Sequence, residues 1–172
     1  MVRCMHEADL DEVVQIHMDY FPEWRVTMLG RPFVRKMYRW FMKTHGDLAL
    51  VVTKDEHVIG FTVGTVGAYK KSLFLYALPE VLWGIASNPG PVIYNSLSRF
   101  GARQTQASID AEMTDFGFAN NRIMVLSDPA NGGGVDLMLA FESAAARRGT
   151  KAYFHDWKAP YYRQSRSQEK KP

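Results

Sequence analysis

A single cysteine, Cys4, stands among 172 residues, so no intrachain disulfide forms and no set of thiolates at zinc-binding spacing exists. Cys4 is expected to be a small buried or half-buried side chain. No apolar run reaches the roughly 20 residues that cross a bilayer, and Met1–His6 lacks the long apolar stretch of a secretory signal. The expectation is a cytoplasmic protein with no membrane partner. Charge of one sign is not in large excess: 21 Lys and Arg against 18 Asp and Glu leave a net +3. Much of that surplus lies near the C-terminus, in Lys158, Arg163, Arg166, Lys170 and Lys171. A polar, basic tail over 163–172 reads as a solvated end, and nucleic acid is not an expected partner. Also missing are a Lys-Ser or Lys-Thr pair behind a glycine run, a nucleophile-elbow serine and a histidine pair at metal spacing. These absences disfavour P-loop proteins, hydrolases and metalloenzymes, and no metal site is expected.

What is present suits one folded domain: 47% hydrophobic and 23% charged residues are ordinary globular values, and the length holds one core, placed at 1–162. After an extended start at Val2–Met5, Asp9 precedes Glu12 by the capping-box spacing and predicts a helix start. Leu10, Val13, Val14, Tyr20 and Phe21 then form an apolar stripe that Pro22 ends. His17 falls on the stripe, where a hydrogen-bonded core histidine outweighs a catalytic one. Gly30 and Pro32 open a second helix whose face is Phe33, Met37, Trp40 and Phe41, up to Thr44. Leu48–Val52 and Val58–Val66 read as antiparallel strands joined by the charged turn Lys54–Asp55–Glu56. Gly60 and Gly64 mark a bulge or a close backbone approach.

From 69 to 100 the chain reads as an apolar helical insertion, with segments Lys70–Ala77, Pro79–Ile85 and Pro91–Phe100. Its aromatics Phe74, Tyr76, Trp83 and Tyr94 are read as core before pocket lining. Gly101–Asn121 is a polar connection. Then come a strand at Arg122–Leu126, a turn Ser127–Gly134 with three consecutive glycines, a helix Val135–Arg148 ended by Gly149, and a strand Lys151–His155. This β-loop-α-β unit implies parallel pairing, with a ligand position beyond the carboxyl end of its first strand. Glycines entering a helix permit close approach and leave first-turn amides without intrahelical partners, and the helix dipole favours an anion there.

The order strand, two helices, hairpin, insertion, strand, glycine loop, helix and strand resembles the GCN5-related N-acetyltransferase (GNAT) superfamily. Ala8–His17 looks like the family's opening strand-to-helix segment, and His57–Gly64 looks like its central strand. Leu137–Gly149 is similar to the helix after its pyrophosphate loop. The likeness covers about 1–68 and 121–162. It implies an α+β fold, with a mixed, mostly antiparallel central sheet flanked by helices and a helical insertion before the cofactor-binding unit. It further implies acetyl-CoA as co-substrate, held by Asn131, Gly132, Gly133, Gly134, Val135 and Asp136, with main-chain groups of Val125, Leu126 and Ser127 against the pantetheine arm. Gly132 and Gly134 match the last two markers of the family's acyl-CoA pattern. Pro129 departs from the first, and Asp136 sets a carboxylate near the diphosphate.

In such enzymes a neutral amine attacks the thioester, so a base and an acid are needed. The resemblance suggests Tyr162, or its neighbour Tyr161, as the acid, although the family's preceding asparagine is missing and its final strand pair has no counterpart before Pro172. His155, at the end of the last strand, is the candidate base. The implied function is transfer of an acetyl or short acyl group to an amine of a small molecule, such as an amino sugar. The alternative is a catalytically impaired GNAT-like binding module. A sheet edge left open at the C-terminal side would favour a homodimer.

Overall fold

The computed structural model describes residues 1–66, 69–87, 89, 119–126, 133–150 and 153–155, and for residues 25, 119–125 and 153–155 the backbone alone. The described chain is α+β. Strands β1 (Val2–Cys4), β2 (Ala49–Lys54), β3 (His57–Val66), β4 (Ala119–Leu126) and β5 (Tyr153–His155) form one five-stranded sheet in sequence order. The first four pair antiparallel, and β4 pairs with β5 in parallel. Helices α1 (Leu10–Tyr20), α2 (Arg25–Met28), α3 (Arg31–Thr44), α4 (Lys70–Tyr76), α5 (Leu78–Ser87) and α6 (Gly134–Arg147), with single 3-10 turns at Glu7–Asp9 and Gly46–Leu48, complete the described elements. Among the described residues no helix is long and apolar enough to cross a membrane. The predicted helix at Pro91–Phe100, nearly all of the polar connection and the basic tail lie outside the described residues.

Strand alternation divides the core between the two faces of the sheet. Ala49 and Val51 join Phe61 and Val63 under α1 and α3, whereas Leu50 and Val52 meet Leu137 and Phe141 of α6 on the other side. Two bulges interrupt the period of two. In the first, Val52 opposes Gly60 but Thr53 opposes Val58, leaving Ile59 as the extra residue. That extra residue explains why Val58 and Phe61, three positions apart, share one core. In the second, Val63 opposes Ile123 and Gly64 opposes Asn121, so Arg122 is the extra residue on β4. Gly60 and Gly64 thus sit beside the two irregularities, as their placement in the strand suggests. The hairpin turn is tight, with Asp55 and Glu56 both at positive φ (50° and 70°), the twist that a two-residue connection requires.

The expected reciprocal cap between Asp9 and Glu12 does not form, because each carboxylate has a better partner. Arg3 donates two bonds to Asp9, at 2.6 and 2.7 Å, and the His6 amide donates a third at 2.7 Å. These contacts hold the Asp9 carboxyl below its usual range, Arg3 contributing most. Glu12 instead accepts from the Val58 amide and lies 3.1 Å from His57 Nδ1, tying α1 to β3. Cys4 is exposed, contrary to expectation, since it ends a three-residue strand at the sheet edge.

α1 and α3 run antiparallel, and a polar ladder marks their register. Glu7 just before α1 pairs with Arg39, Asp11 with Arg35, and Gln15 with Arg31, so each step of four up one helix meets a step of four down the other. Beneath the ladder His17 is fully buried. Its Nδ1 lies 2.6 Å from the Tyr38 hydroxyl and its Nε2 lies 3.0 Å from Thr27 Oγ1, while the Thr27 hydroxyl donates to the Phe21 carbonyl. With the Thr27 proton committed to Phe21, Nε2 must carry the imidazole proton and Nδ1 must accept from Tyr38. Reading His17 as a hydrogen-bonded core histidine agrees with this geometry.

The insertion departs from its sequence reading. Leu73, Ala77 and Val81 are buried, but Phe74 and Trp83 remain 50% and 66% exposed, so they are surface rather than core; Tyr76 is half-buried and Tyr94 lies outside the described residues. Where α5 passes the end of α2, Gly84 is wedged so closely that a Cβ there meets Leu29 O at 2.6 Å and Leu29 Cα at 2.9 Å.

Two measurements check this architecture. Burial lowers the His17 pKa from 6.5 to about 4, so below pH 6.5 the unfolded chain takes up a proton that the folded chain refuses. Stability is therefore fully retained above pH 6.5 and falls as pH drops toward 4, by about 3 kcal/mol from this group. His45, also lowered by burial, adds to the same slope, so urea titrations should show a shallower but not flat dependence in His17→Gln. The second variant, Gly84→Ala, is expected to lose about 1–3 kcal/mol despite alanine's better helix propensity, because backbone cannot move aside as a side chain can. Gly46→Ala, with nothing near its added methyl, is the matched control in the same unfolding assay.

Candidate functional site

The parallel unit β4–α6–β5 is built as the sequence implies, with three described pairs between its strands. β5 pairs with β4 only at Ala119, Asn120 and Asn121, opposite Tyr153, Phe154 and His155. β4 starts earlier than the predicted Arg122 and continues to Leu126, which faces Gly60 of β3. Over 122–126, the β5 side of β4 has no partner among the described residues. The Arg122 bulge, in the β3–β4 ladder, adjoins the last described β4–β5 pair, and an extra residue of this kind bends a strand and increases its twist.

α6 begins against the far end of that stretch. Gly133, at φ +83°, sits so close to β2 that a Cβ there would lie 3.0 Å from Val52 Cγ2, and one on Gly134 would lie 2.6 Å from Leu126 Cδ1. Both glycines therefore serve close packing of the helix start on the sheet. The first intrahelical bond runs from the Leu137 amide to the Gly133 carbonyl, at 2.9 Å, and no side chain caps the helix. The amides of Gly134, Val135 and Asp136 precede it and have no carbonyl within the helix to reach. Val135 is 65% exposed and Asp136 is also exposed, so the outer side of this turn faces solvent.

The remainder of α6 fixes that start in place. Leu137, Phe141, Ala144 and Ala145 form the buried stripe over Leu48, Leu50 and Val52, each large side chain contributing about 2 kcal/mol by leaving water. At the other end Gly149 takes φ +74°, the Thr150 amide reaches the Ala145 carbonyl at 3.3 Å, and Thr150 Oγ1 donates to the same oxygen at 2.6 Å. Arg148 clasps Asp47 through two nitrogens and donates from Nη1 to His45 Nδ1 at 3.2 Å. His45 must be neutral to accept that bond, and burial first, then Arg148, lowers its pKa. Asp47 is lowered too: burial pushes it up, but the Arg148 bond and charge outweigh that.

The sequence-derived residues can now be located. Gly133, Gly134, Val135 and Asp136 share the first turn of α6; Val125 and Leu126 end β4. The Leu126 side chain is half-buried and packs under Gly134, so only its main chain is available to a ligand. His155 is the last described residue of β5 and pairs with Asn121. Ser127, Asn131, Gly132, Tyr161 and Tyr162 lie outside the described residues. Sequence reading missed the Arg122 bulge and the seat that Val52 and Leu126 provide for the glycines. The cue to the seat was the alternation that places Leu50 and Val52 on the α6 face. Among the described residues no group of His, Cys, Asp and Glu is arranged to hold a metal ion. Comparison with protein-family models, curated proteins and solved structures returns no match.

The two glycines can be separated experimentally from ordinary left-handed positions. Gly133→Ala combines an unfavourable φ with the Val52 contact and is expected to cost about 1–2 kcal/mol. Gly149→Ala has the φ without the contact and should cost about 1 kcal/mol. Urea denaturation of both variants measures the difference, and equal losses would remove the Val52 seat from the account.

Proposed function

We propose that this chain is a GNAT-type acyltransferase that moves an acetyl or short acyl group from acyl-CoA to an amine of a small molecule. One observation carries the reading: among the described residues β4 has no partner on its β5 side over 122–126, and its end packs against a glycine-led helix start with no side-chain cap. An extended pantetheine arm can add to an open strand edge through main-chain bonds, at Val125 and Leu126. The diphosphate then meets the amides of Gly134–Asp136, where the helix dipole favours negative charge.

The chemistry requires the acceptor to be a neutral amine. His155, at the described end of β5, takes the ammonium proton; the amine nitrogen attacks the thioester carbonyl; the C–S bond breaks, the thiolate leaves with a proton from Tyr162 or Tyr161, and the remaining excess proton on the attacking nitrogen returns to that tyrosine. An amino sugar remains the example of an acceptor that the apolar insertion suggests. A second reading, a binding module that no longer transfers, is favoured by the exposed carboxylate of Asp136 in the turn that would receive the diphosphate.

Titration calorimetry with acetyl-CoA, followed by thiol release over a panel of amines, separates these readings. Transfer requires both signals, a binding module gives only the first, and neither signal removes the proposal. Asp136→Asn is expected to tighten acetyl-CoA binding about three- to ten-fold, the effect of removing one charge about 4 Å from another in a wet site. An unchanged affinity would place the diphosphate elsewhere.

A further inference from the structure

We propose that the exposed face of α4 and α5 seats on an anionic lipid surface, holding the protein at a membrane without crossing it. The helices bury a narrow stripe, Leu73, Ala77, Val81 and Gly84. They leave Phe74, Leu75, Leu82, Trp83 and Ile85 in solvent, Leu75 and Leu82 at 60% and Trp83 at 66%. Together these side chains offer on the order of 500 Å² of apolar surface, the size of the largest patch an ordinary monomer carries. Trp83 also borders a groove lined by Met18, Met28 and Leu29, which continues the apolar surface onto α2.

Charge identifies the occupant. Lys70 and Lys71 open α4, and Lys71 precedes Phe74 and Leu75 by three and four positions, which puts its ammonium on the same exposed side. Glu80 is the only acid of residues 70–87; its Oε1 lies 3.2 Å from Lys36 Nζ, which also sits over the Tyr76 ring. The face therefore combines Trp, Phe and Leu with the Lys71 cation while its acid pairs with α3, the pattern of a helix lying in a lipid interface. Lys71 can extend to headgroup phosphates while its stem lies along the apolar surface. A second copy meeting this face about a twofold axis would instead bring lysines of like charge into one contact. The expectation of no membrane partner rested on spanning length, which this mode of binding does not need.

The test is co-sedimentation of the full chain with vesicles of phosphatidylcholine alone and with a third of the lipid replaced by phosphatidylglycerol. Binding only to the anionic vesicles is expected, with a blue shift of tryptophan emission that Trp83→Phe abolishes. Lys71→Gln should weaken the partition about five-fold, the contribution of one lysine near such a surface. Both variants alter exposed side chains, and their thermal melts should match that of the parent. Equal binding to both vesicle types, or none, overturns the proposal. So does a dimer in sedimentation velocity that Trp83→Ser dissociates, or Trp83 shielded from acrylamide in the lipid-free monomer, since each means that protein already covers the face.

Discussion

An uncharged imidazole at His17 is the constraint on which the helical layer depends. Three polar groups around it settle the proton positions in a fixed direction, from Tyr38 to His17 to Thr27 to the Phe21 carbonyl. A protonated ring would present a second donor to Tyr38 and a charge to a site walled by Phe21, Trp24 and Tyr38, with ring centroids 5.1, 6.1 and 5.5 Å away. Burying an unpaired charge costs far more than burying a satisfied neutral polar group. The relay thus joins α1, α2 and α3 only while His17 stays neutral. Tyr38, whose ring meets Phe61 edge-on at 5.0 Å, passes that registration to the sheet.

Outside this relay the ladder from Glu7, Asp11 and Gln15 to Arg39, Arg35 and Arg31 does a different job. Exposed pairs of this kind contribute little stability individually. Their common spacing nevertheless selects one antiparallel register, because a shift by one residue would misalign every rung. The spacing is legible in the chain as two runs of polar residues at intervals of four. It becomes a contact only after the apolar stripes have brought the helices together, so sequence alone offered two solvated faces.

The same division runs through the rest of the fold. Alternation in β2 and β3 and the stripes of α1, α3 and α6 are properties of short segments, and burial follows them: Val51 and Phe61 face one core, Leu50 and Leu137 the other. The glycine-led start of α6 was legible for the same reason, since three glycines before a helical pattern are a local signal. Asp9 and Glu12 misled because a capping-box spacing says nothing about Arg3 on the neighbouring strand or the Val58 amide, both remote in the capping pattern. Phe74 and Trp83 misled because apolar content is not burial. Where two short helices can turn only Leu73, Ala77, Val81 and Gly84 inward, the remaining apolar positions have no core to enter.

The candidate site follows from competition for the edge of β4. A strand in the middle of a sheet is normally paired on both sides, and among the described residues β4 has a partner on one side alone over 122–126. The bulge at Arg122 lies where the described β5 pairing stops, and β3 holds the other side of β4 through Leu126. α6 cannot drift away from this end of β4: Val52 and Leu126 seat its glycine start, and Asp47 grips Arg148 at its end. Close packing and ligand binding therefore make the same demand on Gly133 and Gly134. A helix start without side chains can be pressed against the strand end, and that pressing brings first-turn amides that lack intrahelical partners beside the end of β4. On the proposed reading, a ligand with an amide-bearing arm and an anionic linker meets the β4 edge and the α6 start at once, and a ligand with only one of these features leaves half of the frame unused.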